Sequence, residues 1–147
     1  AVEQVDFQVL HSLDKKSILV DVREPEEFAS GYIDAHTILT IPRGKLEFMA
    51  IDKIAKVFGT DIPIITYCLK GPRGSLAGYQ LQKMGFSNVK NLKGGILQWL
   101  AEGNTIHSYL GDKIFMLGGT QTSKFICTFC SHSLKPLSDI FKLISVP

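Results

Sequence analysis

Short apolar runs typical of β-strands alternate with segments of helical periodicity along the first hundred or so residues. The strand-type runs are Ile18–Val22, Thr37–Ile41, Ile62–Tyr67 and Val89–Leu92. Apolar residues at helical spacing lie between them, and the same spacing predicts a short opening helix from Val5 to Leu13 and a longer one from Leu46 to Val57. This alternation predicts an α/β domain of three layers, in which helices flank a central, mainly parallel sheet.

The chain has 147 residues, of which 45% are hydrophobic and 20% charged, enough for one domain with a sizeable core. Because the composition changes after Gly103, we expect a domain over residues 1–105 and an extension over residues 106–147. Apolar spacing between Leu134 and Ile144 predicts an amphipathic helix in the extension. We expect this helix to pack on the domain, with pairing in a homodimer or contact with a membrane as alternatives.

Net charge, the length of apolar stretches and the number of cysteines argue against several classes of protein. The net charge of +2 is small and the basic residues are dispersed, which argues against nucleic-acid binding. No apolar stretch approaches the roughly 20 residues that a transmembrane helix needs. Three cysteines are an odd number and do not form a disulfide framework. Free thiols are therefore expected, in a reducing compartment such as the cytoplasm, with the periplasm as the alternative.

Cys68 stands where an extended apolar run gives way to a basic, glycine-rich segment that leads into a helix. In an open α/β sheet, ligands bind at the carboxyl ends of the strands. The unpaired amides and the positive end of the following helix favour thiolate over thiol, and the basic residues of the segment add positive charge. The sequence therefore predicts a nucleophilic cysteine at the floor of an anion-binding loop.

Four motifs follow one another along the chain: Asp21-Val22-Arg23-Glu24-Pro25-Glu26-Glu27-Phe28, then Gly31-Tyr32-Ile33 with Ile41-Pro42, then Cys68-Leu69-Lys70-Gly71-Pro72-Arg73, and Gly94-Gly95-Ile96-Leu97-Gln98-Trp99. In this order they resemble the single-domain rhodaneses, which are sulfurtransferases. The resemblance implies a rhodanese-like fold and a persulfide on Cys68. It also implies transfer of a sulfane sulfur from an anionic donor, thiosulfate or polysulfide, to cyanide or a thiol, including a protein thiol. It implies no metal and no organic cofactor.

The predicted site has Cys68 as the nucleophile and persulfide carrier. The predicted substrate-binding residues are Leu69, Lys70, Gly71, Pro72, Arg73, Gly74 and Arg43. Arg43 is included because it follows another strand and would face the same mouth, although a solvated turn is an equally simple interpretation. Asp21 and Arg23 are predicted to be structural, a carboxylate and a guanidinium that fix the turn after a strand.

Two other functions remain as alternatives. A cysteine-based phosphatase or arsenate reductase would place five residues between Cys and Arg, whereas four separate Cys68 from Arg73. No carboxylate near this loop offers itself as the leaving-group acid that such an enzyme needs. A non-enzymatic rhodanese-like module would only dock a partner, and modules of this kind often lack the cysteine.

The extension contains one Cys-x2-Cys pair, Cys127 and Cys130, followed by His132. A closed zinc site would need a second pair of ligands, which the chain lacks at recognisable spacing. We expect two apolar thiols here, with a sulfur-accepting or resolving dithiol as the alternative.

Overall fold

Five parallel strands form the centre of the structure, which is a computed structural model. It describes residues 1–108 and the backbone of two further strands, at 113–118 and 122–127. The five are β1 (Glu3–Val5), β2 (Ile18–Asp21), β3 (Ile38–Thr40), β4 (Ile64–Tyr67) and β5 (Val89–Leu92). They lie in the order β1-β5-β4-β2-β3, and every pairing between them is parallel. The predicted parallel sheet is therefore confirmed, with β4 as its middle strand.

Within residues 1–108 there are six α-helices: α1 (Phe7–His11), α2 (Pro25–Ser30), α3 (Leu46–Ala50), α4 (Lys56–Phe58), α5 (Pro72–Lys83) and α6 (Gly95–Ala101). The first five connect the strands of this sheet, and α6 follows β5. A 3-10 turn at Arg43–Lys45 leads into α3, and a π-helical turn at Ile51–Ala55 joins α3 to α4. The predicted helix from Leu46 to Val57 is thus helical throughout, although its middle turn is wider than an α-helical turn.

The hydrophobic core lies on both faces of the sheet. On one face, Ile18 and Val20 of β2 belong to a cluster with residues of α3 and α5. On the other face, Leu19 belongs to a cluster with residues of α6, and residues of α1 pack against it. Because β2 is buried on both sides, its first three residues form a continuous apolar run instead of an alternating pattern. The predicted three layers are confirmed.

The amino-terminal segment differs from its prediction. Val5, expected to open a helix, is the last residue of β1, and α1 covers only Phe7–His11. β1 pairs with β5 at the edge of the sheet, while Glu3 and Gln4 are exposed. A short edge strand is held by backbone hydrogen bonds along one side and needs no apolar pattern, so the sequence carried no signal for it.

A second, antiparallel sheet contains β6 (Thr105–Ile106), β7 (Lys113–Gly118) and β8 (Thr122–Cys127). The helix predicted between Leu134 and Ile144 lies outside the described residues, and so do the side chains of Cys127, Cys130 and His132. These predictions and the boundary between residues 105 and 106 stay predictions. Within the described part of the chain, every helix is too short or too polar to cross a bilayer.

Candidate functional site

Cys68 directly follows β4, the middle strand, and its side chain packs on the face of the sheet that α3 and α5 cover. The residue is 1% exposed. The segments that follow β2 and β3 lie beside the end of β4. The Val22 amide donates to Tyr67 O at 3.1 Å, and the Arg43 amide donates to Val22 O at 3.0 Å. The predicted nucleophile and Arg43 therefore both lie at the carboxyl ends of the strands, where ligands bind in this fold class.

The loop after Cys68 directs a backbone amide at the thiol. The Gly71 amide donates to Cys68 Sγ at 3.0 Å. Gly71 has a φ of +123°, a conformation that strains any residue with a Cβ. In the first turn of α5, the amides of Arg73 and Gly74 donate to no acceptor within the described residues. Cys68 thus lies at the positive end of a 12-residue helix whose first donors remain available to an anion.

Helix α6 supports this loop from behind. The amides of Ile96 and Leu97 donate to the carbonyl oxygens of Cys68 and Leu69, at 2.9 and 3.1 Å. Gly95 has a φ of +64°, and a Cβ placed on it would lie 2.5 Å from both carbonyl oxygens. Gly95 of the Gly94-Gly95 motif is therefore explained by close contact between α6 and the loop. This contact fixes the first two peptide planes after β4.

Asp21, Arg23 and Tyr67 form a buried polar network under the site. Asp21 accepts hydrogen bonds from Arg23 Nη2 and from the Tyr67 hydroxyl, both at 2.6 Å. Arg23 Nη2 also donates to Gly31 O at 2.7 Å. Burial and the negative charge of Asp21 raise the pKa of Tyr67 well above its ordinary value. The predicted structural contact between Asp21 and Arg23 is confirmed. The hydrogen bond between Tyr67 and Asp21 joins the ends of β4 and β2.

Arg73 makes a bidentate ion pair with Glu27 of α2. Nη1 donates to Oε2 at 2.7 Å and Nη2 donates to Oε1 at 2.8 Å. These hydrogen bonds are the main reason why the pKa of Glu27 falls to about 2. The same bonds raise the pKa of Arg73, and the negative charge of Cys68 adds to the effect. The guanidinium is therefore held by two hydrogen bonds to Glu27 and lies within electrostatic range of Cys68.

Sequence reasoning missed Glu27. The available signal was the spacing Glu24-x-x-Glu27 at the start of a helix, which is a capping-box pattern. That pattern predicts that the Glu27 carboxylate points back toward the amino end of α2, where its Oε2 accepts the Glu24 amide at 2.9 Å. It does not predict that Arg73 reaches the same carboxylate from α5.

The remaining loop residues differ in their surroundings. Lys70 is exposed in the loop, and Pro72 is exposed as the first residue of α5. Leu69 is half-buried and packs against the core cluster on the α6 side. Gly74 is buried, and its carbonyl accepts the Thr66 hydroxyl at 2.8 Å. Among the predicted residues, Lys70 thus offers a charge to solvent, whereas Leu69 and Gly74 pack inside the domain.

Arg43 is half-buried near the same edge of the sheet. Its Nη1 donates to Glu47 Oε1 at 2.9 Å. Its Nε is buried and has no hydrogen-bond partner, the one such side-chain nitrogen or oxygen found in the described part of the chain. A buried unpaired donor carries a free-energy cost, which a bound anion would remove.

The structure corrects one argument made against phosphoryl chemistry. A carboxylate does lie beside the loop, because folding brings Glu27 to Arg73. However, the pKa of Glu27 is about 2 and both of its oxygens accept hydrogen bonds from Arg73. At neutral pH this group is ionised and holds no proton for a leaving group. Within residues 1–108, no group of three or more His, Cys, Asp or Glu side chains is placed to hold a metal ion.

Comparisons with known proteins agree with this fold. The model of the rhodanese-like domain family matches residues 8–102. The thiosulfate:glutathione sulfurtransferase of Saccharomyces cerevisiae is 31% identical over 109 residues, which are 69% of this chain and 72% of that protein. The human single-domain sulfurtransferase superposes with a TM-score of 0.59 at 25% identity, over 69% of this chain and 98% of that one.

A third relative is a polysulfide-sulfur transferase from Wolinella succinogenes, whose structure is that of a homodimer. It superposes with a TM-score of 0.60 at 28% identity, over 70% of this chain and 76% of that one. The family model, the relatives and the fold agree with the resemblance read from the motifs, and the chain belongs to the rhodanese-like domain family.

Proposed function

We propose that this protein is a sulfurtransferase that carries a sulfane sulfur as a persulfide on Cys68. The main support is the hydrogen bond of 3.0 Å from the Gly71 amide to Cys68 Sγ. Two more amides at the start of α5 are without acceptors in the described residues. Preorganised donors of this kind stabilise an anionic sulfur without a reorganisation cost.

In the first step, the Cys68 thiolate attacks the outer sulfur of thiosulfate. The Cys68 S–S bond forms while the S–S bond of the donor breaks, and sulfite leaves with the bonding electron pair. A polysulfide donor reacts in the same way, and the leaving group is a polysulfide with one sulfur atom fewer. The product is a persulfide anion, and no proton or external electron is consumed.

In the second step, an acceptor attacks the outer sulfur of this persulfide. A thiolate acceptor becomes a persulfide and cyanide becomes thiocyanate, and each returns Cys68 to the thiolate. The yeast relative is named for glutathione, which supports a thiol as the acceptor, either small or on a protein. A homodimer remains a proposal, supported by the Wolinella relative.

The loop stabilises the terminal sulfur of the persulfide, where negative charge develops. In acyl transfer, one preorganised donor is worth about 2.7 to 4 kcal/mol. Lys70 is exposed in this loop, and Arg43 has a buried unpaired Nε at the carboxyl ends of the strands. Both charges would draw an anionic donor toward the loop.

The direct test is the intact mass of the protein after incubation with thiosulfate or polysulfide. We expect a gain of one sulfur atom per chain and its removal by cyanide. No gain with either donor would contradict the proposal. Turnover of p-nitrophenyl phosphate without thiocyanate formation would instead favour the phosphatase alternative, and inactivity in both assays would favour the binding module.

Replacement of Arg73 by alanine should weaken the use of an anionic donor more than that of a neutral one. We expect kcat/KM for thiosulfate to fall by about threefold to tenfold, since a cation beside the reacting sulfur is lost. The neutral comparison is an organic trisulfide. Lys83→Ala is the matched control, because it removes one positive charge from the far end of the same helix. Equal losses of kcat/KM with both donors would show that Arg73 does not act by attracting the anionic donor.

A further inference from the structure

We propose that Glu27 is a positioning residue for sulfur transfer, which holds the Arg73 guanidinium in place beside the Cys68 loop. The inference rests on the proposed function and adds to the site a residue of α2, outside the loop. Its role would be to keep one cation in a single position facing the sulfur that the loop binds.

The ion pair has the geometry that such a role needs. Both guanidinium nitrogens Nη1 and Nη2 donate to separate carboxylate oxygens, at 2.7 and 2.8 Å. The side chains of Arg73 and Glu27 are 36% and 31% exposed. An arginine this accessible would sample several rotamers if it were unpaired, and two parallel hydrogen bonds restrict it to one orientation.

Glu27 is itself held by the protein. Its Oε2 accepts the Glu24 amide, and its main-chain oxygen accepts Arg23 Nη1 at 3.2 Å. Arg23 is anchored in turn by the buried carboxylate of Asp21. Contacts therefore run from the buried network of Asp21, Arg23 and Tyr67, through α2, to the guanidinium of Arg73.

Glu27 leaves part of the guanidinium available. Arginine has five N–H donors, and Glu27 occupies one on each terminal nitrogen. The charge of Cys68 contributes to the raised pKa of Arg73, in addition to the hydrogen bonds with Glu27. Arg73 also lies in the first turn of α5, two residues after Gly71, whose amide donates to Cys68 Sγ at 3.0 Å. The guanidinium is thus within electrostatic reach of the thiol and still has donors for an incoming anion.

The carboxylate has two opposite effects on the cation. It holds the guanidinium in position, and it also offsets the positive charge. If positioning dominates, loss of Glu27 weakens the positive field at Cys68. If charge compensation dominates, loss of Glu27 strengthens that field. The two possibilities predict changes of opposite sign in the reactivity of Cys68 toward anions.

The experiment compares iodoacetate, an anion, with iodoacetamide, its neutral counterpart, in the alkylation of Cys68. Rate constants are taken from the mass of the peptide that contains Cys68, so the other cysteines do not interfere. The rate constant for iodoacetate divided by that for iodoacetamide measures the electrostatic field at Sγ. We expect Arg73→Ala to lower this ratio about fivefold, because a nearby cation is removed.

We expect Glu27→Gln to lower the ratio nearly as far as Arg73→Ala does. Combining the two substitutions should lower it no further, since both act through one guanidinium. Glu27→Asp, which keeps the charge, should restore part of the ratio. A higher ratio in Glu27→Gln, or an unchanged one, would overturn the proposal.

Glu26→Gln is the matched control, because it removes the same charge from an exposed neighbour on the same helix. We expect it not to lower the ratio. The alkylation assay requires no sulfur transfer, so its result is separate from that of the proposed function. If the ratios are as expected but the protein never gains sulfur, the proposed sulfurtransferase function is overturned. The proposal that Glu27 positions Arg73 would still stand.

Discussion

We expect Cys68→Ser to reduce the formation of thiocyanate from thiosulfate and cyanide by about a thousandfold or more. Serine has no thiolate and cannot form a persulfide, so both steps of the transfer fail. The Gly71 amide that now donates to Sγ at 3.0 Å would meet a neutral hydroxyl instead. Thiocyanate production measures the loss, and urea unfolding of the variant checks that the domain remains folded.

The control for this substitution is the double variant Cys127→Ser/Cys130→Ser, which removes the other two cysteines of the chain. It should retain transfer and should still gain one sulfur from thiosulfate. A gain of sulfur that persists in Cys68→Ser would move the chemistry to Cys127 or Cys130. That result would contradict the assignment of Cys68 as the sulfur carrier.

Asp21→Asn has the second large effect, on stability. Asp21 is 0% exposed and Arg23 3% exposed, and the two are joined at 2.6 Å. The substitution leaves the Arg23 guanidinium buried without its counter-charge, and removal of one partner of a buried pair costs about 3 to 5 kcal/mol. The free energy of unfolding, measured by urea titration, should fall by this amount, a large share of the total stability of a small domain.

The same chemical change at an exposed site provides the comparison. Asp52 pairs with Lys56 on the surface, and exposed pairs contribute about 0 to 1 kcal/mol. We therefore expect Asp52→Asn to change the free energy of unfolding by no more than this. Equal effects of the two substitutions would show that the network of Asp21, Arg23 and Tyr67 does not support the end of the sheet.

The successes and the failure of strand prediction have one physical origin. β2 and β4 are buried on both faces, so most of their residues are apolar and each run was visible in the sequence. β1 lies at the edge and exposes Glu3 and Gln4. Its place depends on backbone pairing with β5, which leaves no pattern in the side chains.

The candidate site shows the same division. The position of Cys68 between a strand and a helix was predictable, because both elements are recognised from nearby residues. The sequence treats Arg73 as a loop cation open to a donor, whereas the structure shows it bound to Glu27. That pair joins positions 46 residues apart, and no local spacing encodes such a contact.

The amino-acid sequence by itself determined the order of most strands and helices and the setting of Cys68 in a glycine-rich loop before a helix. These features depend on hydrophobic periodicity and on residues a few positions apart. Tertiary structure alone decided that α6 supports the loop and that Glu27 holds Arg73. Both contacts arise only when the sheet has brought distant segments to one edge, because packing, unlike periodicity, is a property of the whole fold.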